Sequence, residues 1–179
     1  MQVNEKQLIH QILEGETSSF SYFVDTYQDM ALTLAFRICA NRQDAEDITQ
    51  NAFVKAFHNL HTFRSTSKFS SWFYRIVYHT ALNFIKQNQL KTVEVDENTR
   101  ISEEDNATLF EKEENLNRLE VVLNQLPKDE VTIVTLYYLD EKPIKEIAEV
   151  VGLTESNVKI KLHRSRQKLK EHLTIEKYG

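Results

Sequence analysis

Three observations predict an all-α protein made of two small helical parts. The 179 residues include only three glycines and two prolines, which leaves little turn chemistry for a sheet. Apolar residues recur at intervals of three and four almost throughout, the spacing of a helix with one buried face. Residues 88–115 (NQLKTVEVDENTRISEEDNATLFEKEEN) break that rhythm, being polar, acidic and weakly periodic. They read either as a flexible acidic linker between two helical domains or as a solvated loop and helix of one compact domain.

The apolar spacing places helices over 4–14, 17–39, 43–59 and 68–87 in the first half. It places others over 116–125, 128–139, 144–151 and 155–172 in the second. The second helix contains ALTLAFRICA, and Cys39, the only cysteine, reads there as a small buried hydrophobe. In the third, Ala45, Ile48, Ala52 and Phe53 form an apolar stripe. Asp44, Asp47, Asn51 and Lys55 form the opposite polar face. In the fourth, spacing buries Phe69, Trp72, Phe73, Ile76 and Phe84. Arg75, His79, Asn83 and Lys86 then look outward, bordered by Tyr74 and Tyr78.

The last two helices carry the clearest chemical signal. Pro143 can open a helix because its missing N–H is not needed there. Ile147 and Val151 share a face, and the small Ala148 allows close helix contact. Gly152 suits a turn that requires positive φ. Thr154 is a candidate N-cap. Val158, Leu162, Ser165 and Leu169 then form one stripe. Lys159, Lys161, Arg164, Arg166, Lys168 and Lys170 flank it against only Glu155 and Glu171, a local balance of 6 − 2 = +4. This is the pattern of a helix-turn-helix with a basic second helix able to enter the DNA major groove. A basic helix that merely packs in a bundle is the blander alternative.

Net charge is −5, but it is unevenly spread. Residues 88–120 hold four basic and ten acidic side chains. No Asp or Glu occurs between Asp47 and Glu94, a run that holds Lys55, Arg64, Lys68, Arg75, Lys86 and Lys91 among many aromatic residues. Basic groups interleaved with rings suit single-stranded nucleic acid, and they equally suit an aromatic core with solvated lysines.

Other classes receive no support. There is no phosphate-binding glycine loop, nucleophile motif or paired acid pattern, so no catalytic residue and no enzyme is expected. The six histidines lack metal-ligand spacing, and no metal or other cofactor is expected. No signal peptide opens the chain and no apolar run approaches membrane-spanning length, so a cytoplasmic protein without membrane insertion is expected. A helical sensor joined to a helix-turn-helix would share the second half and bind a palindrome as a dimer. The acid-free aromatic run and the polar Asp44–Lys55 face fit that alternative poorly.

The chain resembles the extracytoplasmic-function (ECF) group of the sigma-70 family of bacterial RNA polymerase initiation factors. The resemblance rests on L-x-x-x-I-L-x-G-x-x-x-x-F (Leu8 to Phe20), Tyr27, DAEDITQNAF and FRSTSKFSSWFYRIVYHTALN. It continues through LNQLPKDEVTIVTLYYLD and the helix-turn-helix, all in order. It implies a region 2-like domain over 1–87, an acidic linker over 88–115 and a region 4-like domain over 116–179. It implies core RNA polymerase and promoter DNA as partners, with an anti-sigma factor as regulator. Asp44, Glu46, Asp47 and Gln50 would dock on the polymerase; the family often has an acid where this chain has Asn51. Arg64, Lys68, Tyr74, Arg75, His79, Asn83 and Lys86 would hold the separated −10 strand; many members have Asn at the His79 position. Lys159, Ile160, His163 and Arg164 would face the −35 duplex, with Arg166 and Lys168 on phosphate.

Overall fold

The computed structural model describes residues 4–64, 66–92 and 112–174, and every regular element among them is helical. The chain opens with α1 (Glu5–Leu13), where the Asn4 side chain accepts from the Lys6 N–H at 3.2 Å. That cap satisfies one of the donors that a helix start leaves unpaired. Ile9 and Ile12 bury its inner face, and the Tyr27 hydroxyl donates to Glu5, tying α1 to the next helix.

A short 3-10 turn, Thr17–Phe20, leads into α2 (Ser21–Cys39). Ala40 ends α2 at φ 57°, and Asn41 immediately caps α3 (Arg42–His58), its side chain accepting from the Asp44 N–H at 2.9 Å. Cap and C-terminus thus share two residues and fold α3 back on α2. α4 (Phe69–Thr92) completes the first half.

These helices meet in a core of rings. Phe23 lies 4.2 Å from Phe69 and Phe53 lies 4.4 Å from Phe73, centroid to centroid. Phe69 and Phe73 stack at 5.9 Å. Such pairs add roughly 0.5–1.5 kcal/mol each beyond the area they bury. Ala45, Ala52 and Ala56 let α3 approach closely, as the stripe on that helix predicts.

In the second half, α5 (Lys112–Gln125) precedes α6 (Lys128–Tyr138), which is buried along its length from Glu130 to Leu136. α7 (Ile144–Val151) ends at Gly152, φ 71°, a value cheap only without a Cβ. The N–H groups of Gly152 and Leu153 both donate to the Ala148 carbonyl, at 2.9 and 3.1 Å. α8 (Glu155–Thr174) follows, with Thr154 Oγ1 accepting from the Asn157 N–H at 3.2 Å.

The two halves pack against each other, α2 on α5 and α6, and α4 on α7. Arg37 pairs with Glu120 at 3.3 Å across that seam. Two differences from expectation follow. Within the 88–115 segment, α4 continues to Thr92 and α5 begins at Lys112; residues 93–111 lie outside the described residues. And α4 is covered on two sides rather than one. Tyr74 and Tyr78 are therefore buried, while Trp72, Ile76 and Phe84 are only partly buried.

Candidate nucleic-acid interface

The first candidate surface is α8. Val158, Leu162 and Ser165 turn inward, and Lys159, Ile160, His163 and Arg164 turn outward. Ile160 is 49% exposed, which is how a side chain available to a thymine methyl or a sugar would stand. α8 is held by Glu130, only 6% exposed on α6. Its carboxylate accepts from Ser165 Oγ at 3.2 Å and lies 3.5 Å from Lys168 and 3.8 Å from Lys161. Lys161 also pairs with Asp129 at 2.8 Å.

Residues 161, 165 and 168 share one helix face, so a single buried acid gathers that face and aims the other outward. Arg166 lies over the Tyr137 and Tyr138 rings at 5.3 and 5.6 Å and donates to the Tyr138 hydroxyl, a contact that holds its guanidinium pKa up. Arg166 and Lys168, expected on phosphate, are thus engaged with α6.

The second candidate surface is a groove of about 350 Å³ between α4 and the end of α3. From α4, Arg75, His79 and Asn83 stand along it, with Trp72 and Ile76 as an apolar floor. Lys55, Asn59 and Thr62 form the facing wall. Lys86 is exposed one turn further along α4. Partial burial, and then the neighbouring Arg75 charge, lower the His79 pKa below its ordinary 6.5, which favours the neutral ring. The groove holds two permanent cations, no acid and a ring floor, the composition that an unstacked anionic strand requires.

Tyr74 is a correction. It was expected beside this groove but is 2% exposed. Its ring meets Tyr27 and Phe73, and Lys142 of the other half lies over it at 5.6 Å. The cause is the second packed side of α4. Burial raises its hydroxyl pKa far above the usual phenol range.

The loop before α4 touches the other half through one side chain. Arg64 is exposed, but Lys68 pairs with Glu146 on α7 at 2.8 Å. Ser71 Oγ donates to the same carboxylate at 2.9 Å, and Lys142 Nζ donates to Ser70 Oγ at 2.8 Å. Partial burial opposes ionisation of Glu146, yet the hydrogen bonds from Lys68 and Ser71 and the charge of Lys142 hold its pKa below 4.5.

The polar face of α3 is the third surface. Glu46, Asp47 and Gln50 are exposed and Asp44 is half-buried, next to exposed Asn51 and Val54. Sequence reasoning missed Asn59 and Thr62 as groove walls, and Glu146 and Glu130 as anchors. Glu130 had a signal: an acid heading the apolar run VTIVTL has to find cations. Among the described residues no cluster of metal-ligating side chains occurs, and no helix is long and apolar enough to cross a membrane.

A helix-turn-helix and a separate basic aromatic groove, each on its own helical unit, define a two-part DNA-binding protein. Residues 23–91 match the family Sigma-70 region 2, and residues 116–169 match Sigma-70, region 4. The chain is 28% identical over 187 residues to the ECF RNA polymerase sigma factor SigW of Bacillus subtilis (strain 168), covering 97% of this chain and 98% of that protein. It is 30% identical over 155 residues to the RNA polymerase sigma factor YlaC of the same organism, covering 83% and 87%.

Among solved structures, the fold resembles CnrH in complex with the cytosolic domain of CnrY, with TM-score 0.70, 22% identity and coverage of 93% and 94%. It also resembles the sigma factor RpoE in complex with the anti-sigma factor NepR from Bartonella quintana, with TM-score 0.71, 18% identity and coverage of 87% and 97%. The chain belongs to the extracytoplasmic-function group of the sigma-70 family.

Proposed function

We propose that this chain binds core RNA polymerase, reads the −35 and −10 elements of promoters and promotes opening of the latter. The observation that carries this is the presence, in one chain, of two unlike DNA-compatible surfaces. The outward face of α8 suits a duplex groove, and the α3–α4 groove suits a separated strand. The division of labour follows: residues 1–87 for polymerase and the −10 strand, 88–115 as the connection, 116–179 for the −35 duplex.

Asp44, Glu46, Asp47 and Gln50 supply the polymerase contact. Arg64, Lys68, Arg75, His79, Asn83 and Lys86 hold the strand. Lys159, Ile160, His163 and Arg164 face the −35 bases. Unstacking a base costs a few kcal/mol, and stacking with edge contacts offsets it, so opening is driven by binding without a catalytic group. Family membership supports an anti-sigma factor as a further partner and action in the cytoplasm, where polymerase and promoter meet. The test is transcription from a candidate promoter by purified core enzyme with and without the chain. Chain-dependent initiation is expected; no association with core enzyme overturns the reading.

A further inference from the structure

We infer that the seam between the two halves is an autoinhibitory latch: Lys142 and Glu146 hold α7 closed on the first turn of α4, and the isolated chain opens there to bind DNA fully. This rests on the reading of the Lys68 loop as part of the −10 surface and adds the control of that surface. The α6–α7 turn aims Lys142 across the seam. Glu141 sits in that turn at φ 48°, a backbone conformation that residues with a Cβ seldom adopt. The Lys142 N–H donates to the Leu136 carbonyl at 3.0 Å, which fixes the turn.

The Lys142 side chain is only 14% exposed, and its ammonium lies 3.2 Å from Asp140 and 3.8 Å from Glu146, both in its own half. A cation taken out of water needs such partners. It then crosses to α4, donating to Ser70 Oγ at 2.8 Å and lying 5.6 Å over the Tyr74 ring. Glu146 follows one helical turn later, accepting from Ser71 Oγ at 2.9 Å and pairing with Lys68 at 2.8 Å. One cation and one acid of the second half thus engage Lys68, Ser70 and Ser71, and both serines are buried.

The charges make this contact a brake as well as a packing surface. A carboxylate and a phosphate compete for the same ammonium, so Glu146 stands at Lys68 where a strand phosphate would. Beside the pair lies a cavity of about 410 Å³ between the loop and α7. Its lysines, Lys6, Lys68 and Lys145, are balanced by Glu5, Glu146 and Glu149. Withdrawal of α7 removes two of those acids and one lysine, which leaves the loop side net positive. The α3–α4 groove has no α7 residue in its lining, so the closed chain keeps that surface and the brake lowers affinity rather than abolishing it.

The test uses the full chain, with probes on α2 and α8 to read the distance between the halves. A labelled random-sequence single strand of about 12 nucleotides reads affinity without polymerase. Lys142→Met and Glu146→Gln should each lengthen the distance and tighten strand binding roughly three- to tenfold, because a closed population lowers affinity in proportion. Lys142→Met is decisive, since losing a cation would by charge alone weaken binding to a strand. Ser70→Ala removes the acceptor on α4 and gives a second route to the same opening if Lys142→Met does not fold. An unchanged distance overturns the latch. So does a longer distance with unchanged or weaker binding, and so does tightening by Glu146→Gln alone, which is a local charge effect. Initiation by wild-type chain with core enzyme, measured alongside, separates the two readings: normal initiation with flat affinities sinks only the latch, and absent initiation sinks the promoter reading with it.

Discussion

Lys68, in the loop proposed to hold the −10 strand, lies 2.8 Å from Glu146, in the first helix of the helix-turn-helix. One helical unit thus supplies the carboxylate that occupies a lysine proposed to face DNA on the other. Glu146→Gln should loosen the packing of α7 on α4, seen as a longer distance between probes placed on the two halves. Since Lys68 is largely exposed, the pair contributes about 1 kcal/mol at most, and Ser71 adds a similar amount. Lys68→Glu alone should open the halves, and Lys68→Glu with Glu146→Lys should reclose them. An unchanged distance in both single variants would show that apolar contacts alone hold the seam.

The same pair sets a pH window. The hydrogen bond that Lys68 donates to Glu146 raises the Lys68 pKa above 10.5, and Glu146 is held below 4.5. The Glu146 contribution is present above pH 4.5 and is lost as pH falls through its lowered pKa. The Lys68 contribution is present below pH 10.5 and is lost as pH rises through its raised pKa. The probe distance should therefore be flat across neutral pH, and a change between pH 6 and 8 would assign closure to another group.

His79 titrates nearer neutrality. Its pKa lies below 6.5, so acidification adds a third cation beside Arg75 and Lys55. Single-strand affinity should rise as pH falls from about 7.5 to 5.5, because strand phosphates favour the protonated ring. His79→Asn should remove that rise while keeping a donor and an acceptor. A wild-type profile as flat as the variant's would place the strand away from this ring.

Glu130 is the anchor of α8. Glu130→Gln leaves the shape but frees Lys161 and Lys168 from a buried negative charge. A loss of about 2–3 kcal/mol in unfolding free energy is expected by chemical denaturation. Discrimination between −35 sequences should fall with it, while core binding persists. Full discrimination with normal stability would mean the apolar stripe alone orients α8.

Lys159→Ala or Arg164→Ala should cost about 1–3 kcal/mol of base discrimination at the −35 element, with core binding intact. Arg166→Ala should instead cost stability, since its guanidinium rests on Tyr137 and Tyr138. Core binding abolished by Lys159→Ala or Arg164→Ala would mean that α8 serves the polymerase rather than the promoter.

The helices were legible because period and caps coincide. Ala45, Ile48, Ala52 and Phe53 recur at helical intervals, and all are buried. Gly152 and Thr154 mark the helix-turn-helix, and the backbone uses both. Tyr74 was illegible for a physical reason: periodicity reports that a face is buried, not how many partners bury it. A helix packed on two sides has a wider covered arc, and only tertiary placement reveals the second. Arg166 and Lys168 belong to a basic flank in sequence and both stay exposed; the sequence did not show that rings and a buried acid on α6 engage them. The groove wall fell between two elements, the end of α3 and the following turn, where no single period runs.

α3 has 17 residues, which at about 1.5 Å per residue makes a rod of roughly 25 Å. Its first turns carry the acids assigned to the polymerase, and its last turn carries Lys55. On the proposed reading, the spacing between enzyme and unpaired base is mechanical: continuous backbone hydrogen bonds, rather than side-chain chemistry, would keep the opened nucleotide at one offset from the machine that copies from it.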